Sequence, residues 1–343
     1  MAGCLAPRHS LTVLPKLGHD DEMIFYIARR LLWTVVVVAC VLAITFAVFY
    51  LLPAGDPALR FAGKNPNDAQ LALIHHRLGL DRPWYVQFVK FSKGFFVGDR
   101  YGWPGLGYTY AGQTSVKSLI IARAPRTLLL IAGAAILWLF SGVAIGVISA
   151  VKRRTPVDRA AMGFALVGIS TPVFWLGLMA LYIFWRRLGW TGGTGYVSPA
   201  DSITGFFSHM ILPWIVLALL YAAFYARMTR NNLLETLGED YIRTARAKGL
   251  SERKVIFKHG LRASLTPIVT MFGLDIALLV GGAIITESVF NLQGLGYLAI
   301  NNALQQDLPI VLGVVLVTSV AVALANLIVD ILYAFIDPRV RYA

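Results

Sequence analysis

Two carboxylates set in otherwise apolar stretches, Asp275 and Glu287, are the side chains whose type and setting could do chemistry. An acid costs roughly 2.5–3.5 kcal/mol at the centre of a membrane helix on insertion scales, so such groups usually face a cavity or a partner. For Asp275 a path-lining or gating role and a polar contact between helices are both open, while Glu287 and Asp330 lie nearer segment ends, where an interfacial structural role is favoured. Pro172, following Thr171, joins the pathway candidates, because proline removes one backbone hydrogen bond and kinks a helix. His75 and His76 are neighbours that point roughly 100° apart on a helix, and no further ligand cluster accompanies them. His209 and His259 lack partners too. No GxxxxGK[ST] phosphate loop and no Ser-His-Asp or Glu-x-x-His arrangement occurs. Cys4 and Cys40 lie in environments too different to pair and have no metal-ligand spacing. The expectation is therefore a chain without an ATPase motif of its own, binding no cofactor and no metal.

The elements that must position these residues are membrane helices. Of the 343 residues 57% are hydrophobic and only 14% charged, against about 25% charged in soluble domains. A spanning helix needs about 20 mostly apolar residues, and the runs predict an all-α, polytopic protein with six transmembrane helices. The first covers 23–52, the others about 127–151, 160–185, 203–226, 263–289 and 308–335. Residues 53–126 form an extracytoplasmic loop with short helical pieces at Ala69–Leu78 and Trp84–Phe91. Residues 1–22 read as a disordered tail, or as sequence before a start at Met23, and 337–343 as a cytoplasmic tail. The first span is too long for a signal-peptide core and lacks a small-x-small cleavage site, so it stays as an anchor. Inner segments hold nineteen Lys/Arg and the short outer loops two, which sets both termini inside. The net charge of +13 thus belongs to loops that orient the chain, and a nucleic-acid partner is excluded. The lipid bilayer is the first partner.

One cytoplasmic loop, 227–262, is more than a topology signal. Between Glu239 and Pro267 it carries seven Lys/Arg against three acids and reads as helix, turn, helix. The first helix spans Glu239–Lys248 with Tyr241 and Ile242 as a modest apolar face. Gly249 is placed to end it in the left-handed conformation, and Ser251 to cap a second helix that starts with Glu252.

Here the chain resembles the inner-membrane permease subunits of ATP-binding-cassette importers, in their dipeptide, oligopeptide and nickel branch, and within it the B-type peptide permease. The family's cytoplasmic loop has an EAA-type pattern with a glycine four residues after its second alanine, and Ala245 and Gly249 hold those positions. Arg243-Thr244 in place of the general Glu-Ala, and Leu261-Arg262 in place of Leu-Pro, point to the peptide branch. Supporting segments follow in order: Leu52-Pro53-Ala54-Gly55-Asp56-Pro57, Leu78-Gly79-Leu80-Asp81-Arg82-Pro83, Gly168-Ile169-Ser170-Thr171-Pro172 with Phe174-Trp175-Leu176-Gly177, and Glu287-Ser288-Val289-Phe290 with Gly294-Leu295-Gly296.

The resemblance implies a type I importer permease architecture in the cytoplasmic membrane. It implies a second, homologous permease as heterodimer partner, two cytoplasmic ATP-binding subunits that hold ATP and Mg, and an extracytoplasmic solute-binding protein. It further implies that Asp240, Tyr241, Arg243, Thr244, Ala245, Arg246, Ala247, Lys248, Gly249, Leu250 and Ser251 form the element that couples to the ATPase, with Ala245 and Ala247 at its groove. The cargo is then peptide or a similar small solute. An ion-coupled secondary transporter or channel built around Asp275 is the alternative.

Overall fold

The computed structural model describes residues 19–51, 58, 67–100, 102–109 and 114–336. Leu52 to Pro57 and both chain ends, which carry some of the expectations above, lie outside the described residues. Among the described residues thirteen helices follow in order: α1 His19–Phe46, continued by a wide turn Ala47–Leu51, α2 Asp68–Leu78, α3 Trp84–Val97, α4 Val116–Val151, α5 Pro156–Ser170, α6 Val173–Ala180, continued by a wide turn Leu181–Arg187, α7 Ile203–Thr236, α8 Asp240–Ala247, α9 Glu252–Ser264, α10 Thr266–Val280, α11 Ile284–Val289, α12 Leu295–Leu304 and α13 Leu308–Ile336. Among the described residues no strand forms beyond two isolated bridges.

α1, α4, α7 and α13 are each long and apolar enough to cross a bilayer. The pairs α5–α6, bent by 103°, and α9–α10, bent by 46°, bring the count to six if each pair makes one crossing. The 103° bend falls at Thr171–Pro172, where Pro172 has no N–H to continue α5 and its extended backbone (ψ 132) redirects the chain.

Helix ends depart from the apolar runs. α4 begins at Val116, not 127, so residues 116–126 of the expected outer loop are helical and carry Arg123 and Arg126 on the last outer turns. α7 runs past 226 to Thr236. The 263–289 run is three pieces: the end of α9, then α10, then α11 beyond a break at 281–283. The reason is common to the first two. Hydropathy marks where lipid begins and ends, whereas backbone hydrogen bonds carry a helix on into water.

The core is built on α4 and α7, the most extensive helix pair. Gly142 and Gly146 let the backbones meet, for an added Cβ would fall 2.6 Å from the Tyr225 Cβ and 2.5 Å from the Thr229 Cβ respectively. Trp138, Met210, Leu217 and Tyr225 fill this seam, with Ile268 of α10 and Phe290 against it. A second cluster joins α1, α3, the outer end of α4, α12 and α13. α1 otherwise shows Leu32, Trp33 and Val35 outward, a lipid-facing surface, and is fastened to α13 by Arg30–Asp330 at 2.9 Å.

Candidate functional site

At the inner end of α7 the chain folds into an elbow. Glu239 takes the N-cap position of α8 and Lys248 its C-cap. Gly249 follows at φ +76, a region that side chains avoid, and the Gly249 N–H donates to Arg246 O (2.9 Å) while the Leu250 N–H donates to Ala245 O (3.4 Å). These two bonds make a Schellman closure, so the glycine both ends α8 and satisfies its last carbonyls. Ser251 occupies the N-cap of α9, but its side chain makes no capping bond there. Across the turn, Arg246 Nε and Nη2 donate to Glu252 Oε2 (3.1 Å) and Oε1 (2.7 Å). That guanidinium holds the Glu252 carboxyl below the usual carboxylate range. Glu252 is exposed and precedes the apolar run, which begins at about 263.

Inside the elbow Ile242, Ala245 and Val255 are buried against Leu237. Ala245, placed at an ATPase groove by the family resemblance, is buried here and seals the seam between α8 and α9. The exposed face is instead Asp240, Tyr241, Arg243, Thr244, Arg246, Ala247, Lys248, Gly249, Leu250 and Ser251. Arg243 pairs with Asp240 at 3.2 Å on that surface, and Thr244 Oγ1 donates to Asp240 O. Beside Tyr241 an open recess of about 670 Å³ is lined by Lys258, His259, Arg262, Ala263 and Thr266.

Behind the elbow lies a buried knot that the sequence did not single out. Asp158, in the first turn of α5, accepts from Arg230 Nε (2.7 Å) and Nη2 (3.0 Å), from Ser149 Oγ (2.5 Å) and from the Arg154 N–H (2.9 Å). Four donors saturate the carboxylate, and they tie the α4–α5 corner to α7 just before the elbow.

The two intramembrane acids part ways. Asp275 of α10 is half-buried and accepts from Tyr225 Oη of α7 at 2.6 Å, next to the stacked rings of Trp138 and Tyr221. Among the described residues it has no ion pair. Glu287 is fully buried, in α11 and not at the end of a continuous span. Thr127 Oγ1 donates to its Oε1 (2.6 Å) and the Tyr297 N–H to its Oε2 (2.8 Å), while the Leu295 N–H donates to Thr127 Oγ1 (2.8 Å). α12 begins after Gly294, which has no side chain to cap it, so Glu287 and Thr127 supply the cap from elsewhere in the chain. Pro172 is the N-cap of α6, Asp275 lies in α10 and Glu287 in α11, so the three stand on different elements. Among the described residues no three His, Cys, Asp or Glu lie close enough to hold a metal ion.

Comparison with known proteins agrees with this architecture. Residues 142–342 match the family described as "Binding-protein-dependent transport system inner membrane component", and residues 23–131 match its N-terminal companion, "Binding-prot-dependent transport system membrane comp, N-term". The chain is similar to the oligopeptide transport system permease protein AppB of Bacillus subtilis (strain 168), 37% identical over 322 residues that cover 93% of this chain and 100% of the relative. It is also similar to the glutathione transport system permease protein GsiC of Escherichia coli (strain K12), 38% identical over 320 residues with the same coverage. In three dimensions it resembles a chain of the MetNI methionine ABC transporter in an inward-facing conformation. The TM-score is 0.53 at 19% identity, covering 64% of this chain and 97% of that one, a likeness of fold.

Proposed function

The chain belongs to the family of binding-protein-dependent transport system inner membrane components, and on that premise we propose that residues 240–251 are where ATP hydrolysis on partner subunits enters this permease. The chain is a multi-pass membrane protein and the permease subunit of an ATP-binding-cassette importer. The proposed assembly adds a second, homologous permease, two cytoplasmic ATPases that hold ATP and Mg, and an extracytoplasmic solute-binding protein. Peptides, oligopeptides above all, are the proposed cargo, since the relatives named above carry oligopeptide and glutathione transport in their names. Asp275 is retained as a pathway candidate and Pro172 as the hinge of the bent crossing. Glu287, with both oxygens engaged, is assigned to holding α12.

The observation that carries the coupling assignment is the elbow itself. It is a turn locked by a Schellman closure, with a closed apolar seam on one side and, on the other, an uncovered, mostly basic face that also shows Tyr241, Ala247 and Leu250 at the end of a membrane helix. A stiff, shallow-faced element is what a moving ATPase groove can push. The test is ATP-driven uptake of trialanine by the complete reconstituted importer carrying Ala247→Glu. Ala247 is exposed, so the variant leaves the seam intact, whereas Ala245→Glu would burst it. Uptake should fall at least tenfold with assembly preserved. Normal uptake by correctly inserted Ala247→Glu protein sinks the assignment.

A further inference from the structure

Far from the elbow, at the outer end of α4, stand two arginines without acids. Arg123 Nη1 donates to Gln293 O at 3.1 Å. Arg126 Nη1 donates to the same carbonyl (3.4 Å) and to Gln293 Oε1 (3.3 Å), and its guanidinium lies 5.2 Å over the Tyr196 ring. Both side chains are half-buried. Among the described residues neither forms an ion pair. Glu287, bonded to the adjacent Thr127, has both oxygens committed to the α12 cap. Every bond the two arginines make leaves from Nη1, so the Nε and Nη2 groups of both have no partner there.

Two like charges sharing one neutral acceptor repel each other and lose hydration, and among the described residues no acid offsets this, only the Tyr196 ring and the Gln293 side chain on Arg126. Guanidinium forks match carboxylates in a two-point geometry, so an arriving carboxylate would relieve both costs at once. The fixed parts of the site suit such a role. The Gln293 backbone sits at φ +53, its loop is pinned by the Glu287–Thr127 cap, and the Tyr196 ring holds Arg126 from one side. We propose that Arg123 and Arg126 form a carboxylate-binding subsite at the outer mouth of the permease, which receives the C-terminal carboxylate of an incoming peptide. The proposal rests on the peptide-importer reading above.

The test uses the complete importer in proteoliposomes with trialanine and trialanine amide, each presented at a concentration that saturates the binding protein. Wild type should take up the free acid about tenfold faster than the amide. Arg123→Gln/Arg126→Gln should bring the two rates together by slowing the acid, and Arg123→Lys/Arg126→Lys, which keeps the charge, should restore much of the preference. Equal slowing of acid and amide by the Gln variant would mean that the arginines only brace the 291–296 loop, and would overturn the subsite while the coupling assignment stands. Loss of binding-protein-stimulated ATPase with an unchanged acid-to-amide ratio would make them a docking contact for that protein, which overturns it as well. If wild type takes up neither peptide, the cargo reading and this one fall together.

Discussion

Arg246–Glu252 in the elbow and Arg230–Asp158 behind it are both two-point guanidinium–carboxylate contacts with a shortest distance of 2.7 Å, yet their surroundings differ throughout. In the elbow the side chains are 41% and 58% exposed and accept no help from other groups, whereas behind it they are 20% and 7% exposed and the acid takes two further bonds. Exposed pairs are weak and screened, and buried pairs are costly to break. The same chemistry therefore does two jobs. The outer pair closes the elbow with a contact that salt and acid can weaken, and the inner knot welds the elbow's support to the membrane core.

The most severe way to break this contrast is Arg230→Ala, which strands a buried carboxylate and should cost about 3–5 kcal/mol, read as a drop in thermal unfolding temperature of the purified complex. Glu287→Gln should come next at about 1–3 kcal/mol, because one charge-accepting oxygen of the α12 cap is lost and a buried donor is left short. Chymotrypsin cleavage after Phe290 or Tyr297 would report it. Gly249→Ala forces a side chain into the left-handed region at about 1 kcal/mol. Its effect should be confined to faster amide exchange in α8, with global unfolding unchanged. Smallest is Arg246→Gln, at about 0.2–1 kcal/mol and vanishing in molar salt. Because the Glu252 carboxyl is held low in the fold, the pair's contribution is present above its ordinary value of 4.5 and is lost only as pH falls below that. If Arg246→Gln proved as damaging as Arg230→Ala, the elbow would be a fixed brace and the division of labour would be wrong.

How much could be read from sequence follows the range of each interaction. The elbow was legible because a Schellman closure depends on one glycine and its immediate neighbours. The bend at Thr171–Pro172 was legible as a kink, but its 103° was not, since α6 is set by packing such as Gly177 against Val289 and Phe290. Glu287 looked like the end of a span because its partner Thr127 is 160 residues away. Arg230, 72 residues from Asp158, enters the sequence reading only as one of the inner Lys/Arg that orient the chain, and Asp158 does not enter it at all. Ala245 was assigned to the docking face because a family pattern fixes residue types and spacing but not which side of a short helix is covered by its neighbour.

The length of α7 has a mechanical consequence. Its 34 residues make a rod of about 51 Å, against roughly 30 Å of hydrocarbon. It is gripped by α4 through Gly142 and Gly146 and again by the Asp158 knot, so it has no free joint near its inner tip. A sideways push on the elbow must then swing the α4–α7 pair as one beam, and a 10° swing about its midpoint carries the tip by about 4 Å. Under the proposed coupling, beam length sets the stroke, and the opposite end, where Arg123 and Arg126 stand, travels the other way in the same motion.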